Sequence, residues 1–422
     1  MSTATKTVER SEGRQGLASM IRRVKIRNYK SIKNCDVELG PFTILVGRNG
    51  SGKSNFLDAI RLVTEGLRDQ GLQDSFRLSP WSSVADEEGS FDTATIALYL
   101  DLDLGAEAKY EVTLGLLEAS YGIVEESLTV WEKGAIKNHY RCVHGRVTES
   151  STGFMPPVSP NRLYLGRASD APEFRPAHDA LAASAFYNLV PEMMRKPEEI
   201  STRRLLARDG SNITSNYGHL ESKAPGVRDQ LLAYFSQVVP EFEHVRSRVY
   251  GPQSLLVFER AVAALFTRTA ASADLGPRSF YASGMSDGTL RALGILVAIN
   301  QLANDGRPIR LVGIEEPETA LHPAAVGILM SAFREAATHT QILVTTHSAD
   351  LLDEFDPDED HLLAVESRDG RTEIGPVNRA SREAIRERLY SAGELLRMDY
   401  FEPERPDITP QGQTSFGPGG QP

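Results

Sequence analysis

Apolar and polar positions change period several times along the chain, and each change predicts an element. Ile21, Val24 and Ile26, then Val37 and Leu39, read as strand, and so does the run Phe42-Thr43-Ile44-Leu45-Val46. After a glycine-rich turn, Phe56, Leu57, Ile60, Val63 and Leu67 recur at three- and four-residue spacing, which predicts a helix over about 53–68. Residues 69–91, rich in Ser, Asp and Gly, read as a loop. Alternating stretches at 94–102, 110–116 and 123–131 predict an antiparallel meander. Pro156, Pro157, Pro160, Pro172 and Pro176 then break regular structure. The stretch 178–266 reads as mostly helical, with turns near 209–217 and 224–226. The last third predicts strands at 309–314 and 342–346 and helices at about 286–303, 323–337 and 381–398. Residues 1–19 read as a flexible leader, and the Pro-, Gly- and Gln-rich 401–422 as a disordered tail. There is no internal repeat and no sustained heptad, so no long coiled coil is expected.

Composition narrows the class only a little. Among 422 residues, 46 Lys+Arg against 57 Asp+Glu give a net charge of −11, and 41% of positions are hydrophobic. Two cysteines, Cys35 and Cys142, cannot build a disulfide framework, which makes a reducing, cytoplasmic setting the simplest reading. No apolar run approaches the ~20 residues of a membrane helix, and residues 1–20 lack a signal peptide's apolar stretch. The acidic balance disfavours wholesale wrapping of nucleic acid. Yet Arg22, Arg23, Lys25, Arg27, Lys30 and Lys33 form a locally basic edge, which would either track a phosphate backbone or simply keep a strand edge solvated.

The chemistry sits in three strings. Gly47-Arg48-Asn49-Gly50-Ser51-Gly52-Lys53-Ser54 fits G-x-x-x-x-G-K-[ST], with an apolar strand before it and an amphipathic helix after it. Its glycines let backbone N–H groups curl inward on phosphate oxygens, at the positive end of a helix. Lys53 would reach the β/γ-phosphates and Ser54 would ligate Mg²⁺, and Asn55 belongs with the same nucleotide-binding set. Further on, an apolar strand ends in Glu315-Glu316, where the mouth of a parallel sheet takes its ligands. Neighbouring strand residues point opposite ways, so Glu315 is expected to hold Mg²⁺ and Glu316 to act as general base on water. The next strand delivers His347, placed to contact the γ-phosphate. Finally, Ser286-Asp287-Gly288-Thr289 opens a helix: Ser286 as N-cap, Gly288 for close backbone approach. A second anion-binding helix end implies a second phosphate, and hence a dimer closing on ATP.

These elements in this order resemble an ATP-binding cassette ATPase of the RecF/SMC kind. Walker A is 47–54, the signature is 285–289, Walker B is 311–316, the D-loop region is Leu321-His322-Pro323 and the switch histidine is His347. Glu315-Glu316-Pro317-Glu318, and Ile26-Arg27-Asn28-Tyr29-Lys30-Ser31, are especially similar to RecF-type and overcoming-lysogenization-defect (OLD) type ATPases. The resemblance spans about 20–398 and implies an α/β, P-loop NTPase fold of the ABC-ATPase head type: a mixed sheet with an antiparallel meander and a helical lobe. Its expected divisions are 20–150 and 306–400 for the first lobe and 151–305 for the helical lobe. Three positions depart from the transporter pattern. Glu315 stands where transporters carry Asp, the signature reads Ser-Asp-Gly-Thr, and neither Gln70 nor Gln73 is well placed for the Q-loop glutamine.

The resemblance implies ATP and Mg²⁺ as cofactors, an ATP-dependent homodimer and no membrane partner. DNA, in repair or anti-phage defence, is the leading partner. Two alternatives are a regulatory ATPase that restrains a separate nuclease or toxin, and, less favoured by the signature sequence, the energising subunit of a transporter. OLD-type proteins carry a Toprim nuclease after the switch histidine. With 75 residues following His347 (422 − 347), and the acidic run 356–360 preceding Glu366 in the wrong order, no Toprim domain is expected.

Overall fold

The computed structural model describes residues 20–68, 93–117, 120–153, 156–159, 161–199, 205–260, 278–302, 306 and 309–404. The leader, the 69–91 loop with Gln70 and Gln73, and nearly all of the tail lie outside the described residues.

The chain opens with strands β1 (Met20–Tyr29) and β2 (Ile32–Glu38), then β3 (Phe42–Val46) and helix α1 (Lys53–Arg68). The expected meander is β4 (Thr93–Asp101), β5 (Ala106–Leu117) and β6 (Ser120–Glu132), and it continues through β7 (Ala135–Val143) and β8 (Arg146–Ser150). All but β3 form one antiparallel sheet in the order β2-β1-β4-β5-β6-β7-β8. The two strands that sequence reading passed over hang on X-Gly turns. Lys133-Gly134 and His144-Gly145 both take positive φ at their two central positions, the backbone that a tight two-residue hairpin demands.

After short helices α2 (Leu165–Ala168) and α3 (Arg175–Ala182), the expectation of a mostly helical 178–266 needs correcting. Four strands lie there: β9 (Ser184–Tyr187), β10 (Glu198–Glu199), β11 (His244–Tyr250) and β12 (Gln253–Arg260), among helices α4 (Pro191–Met194), α5 (Ile213–Lys223) and α6 (Pro225–Val238). A four-residue apolar run such as Ser-Ala-Phe-Tyr carries no period of its own, so only its neighbours decide that β9 is a strand. β12 pairs with β11, β10 and β13 (Arg278–Tyr281). Then come α7 (Asp287–Asn300), β14 (Leu311–Glu315), α8 (Pro323–Ala336), β15 (Gln341–Thr346) and α9 (Ala349–Asp353). The chain returns through the hairpin β16 (His361–Arg368)–β17 (Arg371–Pro376), also unforeseen although Asp369-Gly370 is a hairpin turn signal with both φ positive. The expected 381–398 helix is two helices, α10 (Arg379–Arg386) and α11 (Ala392–Arg397). Arg388 at φ 57 breaks the run, and Ser391 with Glu394 makes a capping box that starts the second helix.

The central sheet runs β17-β16-β3-β15-β14-β9, parallel except for the β17 edge. Its strands are buried on both faces, so alternate residues feed two different cores. Leu45, Leu311, Leu343 and Leu363 pack toward α1 and the seven-stranded sheet. Ile44, Val312, Ile314, Ile342 and Val344 pack toward α5–α8. All five parallel strands end on the same side, which gathers the β3, β14 and β15 termini at one mouth.

One buried amide fastens the two sheets. Gln341, fully buried, accepts from the Ile21 N–H at 3.0 Å and donates to the carbonyls of Ile21 and Gly40 at 2.9 and 3.0 Å. Gln341→Leu keeps the volume but removes three buried hydrogen bonds to backbone groups, and we predict a loss of about 3 kcal/mol, read from urea unfolding. A loss under about 0.5 kcal/mol would show that the sheets are held by apolar packing alone.

Candidate functional site

The phosphate loop joins β3 to α1, and the local sequence dictates its shape. Gly50 and Gly52 adopt φ of 78° and 103°, where side-chain-bearing residues are strained. Lys53 folds back into the loop, donating to the carbonyls of Gly47 at 2.8 Å and Arg48 at 3.0 Å. Burial pushes its pKa down, against the pull of Glu316 and Glu318. Arg48, Asn49 and Gly50 are exposed, and Arg48 reaches Asp399 at 3.6 Å. Two of the glycines answer to the hairpin behind the loop. A Cβ on Gly47 would stand 2.1 Å from the Val365 carbonyl oxygen, and one on Gly52 would stand 2.0 Å from Thr372 Oγ1.

The acidic pair divides as strand alternation requires. Glu315 Oε2 accepts from the Ser54 hydroxyl at 2.7 Å, and its Oε1 accepts from Arg208 at 2.7 Å. Glu316 leaves the strand at φ 45° and turns its carboxylate to His347 Nδ1, 3.2 Å away. Strained backbone of this kind persists where the surroundings over-determine it, and here the Glu316 N–H donates to the Thr345 carbonyl at 2.9 Å. Glu318 is nearly buried and accepts from Thr346 Oγ1 at 2.7 Å. Among the described residues no cluster of three or more His, Cys, Asp or Glu side chains could hold a metal by itself. One hydroxyl and one carboxylate at the mouth suit Mg²⁺, which takes few protein ligands and fills its shell with phosphate oxygens and water.

The third string lies on α7. Ser286 caps the helix, accepting from the Thr289 N–H at 3.1 Å. A Cβ on Gly288 would meet the Ala320 carbonyl oxygen at 2.5 Å, so the helix start abuts the turn after the acidic pair. Among the described residues neither Ser286 nor Gly288 hydrogen-bonds to the 47–54 loop of its own chain. Arg291 makes the connection instead. Its guanidinium donates to the carbonyls of Leu189 at 2.9 Å, Glu315 at 3.2 Å and Glu316 at 2.8 Å, and burial lowers its pKa. Asp287 pairs with Arg195, which also donates to the Met285 carbonyl at 3.0 Å.

Lys53, Ser54, Glu315, Glu316 and His347 therefore meet at one mouth although 294 positions (347 − 53) separate the first from the last. Sequence reading did not assign Arg208, Arg291, Glu318 or Thr372 to this place. Arg291 carried a signal: it is the one basic residue in a helix otherwise nearly all apolar. Tyr187 pairs with Ile314, so Asn188 leaves the sheet level with Glu315, while Gln70 and Gln73 lie outside the described residues. A cavity of about 190 Å³ opens beside the mouth, lined by Lys30, Ser54, Asp58, Arg61, Arg208 and Glu315. Burial pushes the Asp58 carboxyl up, but bonds to Lys30 and Arg61 outweigh this and hold it at about 2. Four side chains of the basic N-terminal edge form ion pairs within the chain. Arg22 pairs with Asp101, Arg23 and Lys25 with Asp36, and Lys30 with Asp58. No helix among the described residues is long and apolar enough to cross a membrane.

Comparison with known proteins agrees with this geometry. The family described as "AAA domain, putative AbiEii toxin, Type IV TA system" matches residues 42–353, from β3 through α9. The Old nuclease of Escherichia phage P2 is 23% identical over 357 residues, 78% of this chain and 56% of that protein. The chain thus spans little more than half the length of that relative. The DNA replication and repair protein RecF of Gloeobacter violaceus is 29% identical over 96 residues, 22% of this chain and 26% of its own. A solved Smc head bound to the C-winged helix domain of ScpA superposes with a TM-score of 0.53 at 15% identity, covering 86% of this chain and 99% of that one, a likeness of fold. With about three quarters of its length matched, the chain belongs to the AAA-domain family of that description, and it is similar in sequence to OLD and RecF proteins and in fold to an Smc head.

Proposed function

We propose that the chain binds Mg-ATP at the mouth of its parallel sheet, hydrolyses it slowly, and uses the bound state to bring two copies together on DNA or a protein partner. The observation that carries this reading is the convergence of Lys53, Ser54, Glu315, Glu316 and His347 on one point from three separate strands. Backbone N–H groups of 47–54 and the Lys53 ammonium receive the phosphates, replacing the carbonyl partners that Lys53 now holds. Ser54 and Glu315 would hold Mg²⁺, which would supply charge neutralisation at the phosphates. Glu316 takes a proton from the attacking water, and His347 beside it senses the γ-phosphate and keeps the carboxylate oriented. Ser286 caps α7 and makes no hydrogen bond to the 47–54 loop among the described residues, which supports an arrangement where Ser286 and Gly288 close on the nucleotide of a second copy.

A second reading rests on the neutralised basic edge. Arg22, Arg23, Lys25 and Lys30 each pair with an acid of the same chain, which lowers the positive charge that this edge offers a phosphate backbone. This favours a regulatory ATPase that acts on a separate effector chain, a role in keeping with the toxin in the family's description. ATPase rate and mass with and without duplex DNA separate the two, since stimulation by DNA is expected only of the first.

Two substitutions test the site. Lys53→Ala removes the phosphate-facing charge and should weaken ATP binding at least about 100-fold in a fluorescent-nucleotide titration. Glu316→Gln retains the side-chain shape but cannot accept the proton, so turnover should fall at least about 100-fold with ATP affinity kept. Light scattering should then find the Glu316→Gln chain at twice its monomer mass with ATP. A chain that stays monomeric there contradicts the two-copy arrangement.

A further inference from the structure

The hairpin β16–β17 lies outside the 42–353 stretch matched by the family, yet it forms the back wall of the phosphate loop. Its contact is a directed chain of hydroxyls. Thr372 Oγ1 donates to the Ser51 carbonyl at 2.8 Å, which commits its only proton. The 2.7 Å bond between Thr372 and Ser31 must then be donated by Ser31. Ser31 Oγ in turn accepts from Asn55 Nδ2 at 2.7 Å. The order is thus fixed: Asn55 to Ser31 to Thr372 to the Ser51 carbonyl. A ring closes between the first turn of α1 and the loop just before it, passing through the β1–β2 turn and the hairpin. The Thr372 N–H donates to the Ser31 carbonyl at 2.8 Å, so the two distant segments are also joined by backbone. Thr372 is 3% exposed and its side chain fills the space a Cβ on Gly52 would need.

We infer that Thr372 is a positioning residue for ATP binding: its hydroxyl holds the Ser51 peptide so that the loop's N–H groups converge on the phosphates before nucleotide arrives. The inference rests on the ATP site placed at residues 47–54. The Ser51 carbonyl and the N–H of Gly52 belong to one peptide unit, so fixing the first orients the second. A pre-set loop spares the nucleotide the ordering that a slack one would require. The hold acts on bound ATP and on the transition state alike, and its loss should therefore raise KM and leave kcat nearly unchanged.

The test uses the full chain with Thr372→Val, which keeps the β-branched shape but cannot donate, and Thr372→Ser, which keeps the hydroxyl. Thr372→Val should raise KM and the Kd for a fluorescent ATP analogue about tenfold, with kcat within about twofold, and Thr372→Ser should restore both. Equal KM for Thr372→Val and the unaltered chain overturns the inference, and so does a fall in kcat with KM unchanged. Should Thr372→Val not fold, Thr372→Ala removes the same donor with a smaller side chain and should show the same rise in KM; an unchanged KM there overturns it equally. If the unaltered chain binds no ATP, the fault lies with the ATP site itself and not with the hairpin's role.

Discussion

A charge buried at a sheet terminus organises this molecule. Arg291 places its guanidinium against three carbonyls, those of Leu189, Glu315 and Glu316, at the point where β14 ends and β9 has just left the sheet. Burying a cation is costly unless hydrogen bonds replace its water. Here the partners are carbonyls whose strands have run out of neighbours. The same bonds fix the direction in which the two carboxylates leave the strand, Glu315 toward Ser54 and Glu316 toward His347. Because Arg291 belongs to the helix that Ser286 caps, the start of α7 and the acidic end of β14 are joined by hydrogen bonds.

Around that point the fold works as a set of walls. Parallel strands bring the phosphate loop, the acids and the histidine to one mouth, since β3, β15 and β14 are neighbours in the sheet. The seven-stranded sheet supports α1 from outside, where Asp58 takes bonds from Tyr29, Lys30 and Arg61. The β16–β17 hairpin closes the back, and it explains why Gly47 and Gly52 must be glycine even before any nucleotide is considered. The chemistry needs only a handful of side chains, whereas their placement engages the whole chain.

Much of this was legible in the sequence, and the parts that were not share a physical cause. The 47–54 string announces itself because its glycines, lysine and serine are all demanded by one ligand, and Glu315-Glu316 because an apolar strand ends on two charges. The long helix α1 was readable from its period. The short elements were not: β9 has four residues and no period, β11–β12 was hidden by the helical reading of 178–266, and β16–β17 fell in a stretch to which the pattern assigned no element. Asp369-Gly370 was the available signal for the second of these. Arg208 and Thr372 escaped for another reason. Each reaches the site across more than one hundred positions, Arg208 to Glu315 and Thr372 to Ser51, and no local pattern encodes such a meeting. The acids that pair with the basic N-terminal edge were not legible beside it, for they come from β2, α1 and β4.

The proposed ATP site requires Ser54 and Glu315 to share one Mg²⁺ at the nucleotide. The direct measurement is ATP turnover by the full chain as Mg²⁺ is titrated, comparing the unaltered chain with Glu315→Gln. The account predicts that the substitution raises the Mg²⁺ needed for half-maximal turnover at least about tenfold, while ATP affinity without Mg²⁺ stays the same. An unchanged Mg²⁺ requirement would contradict it.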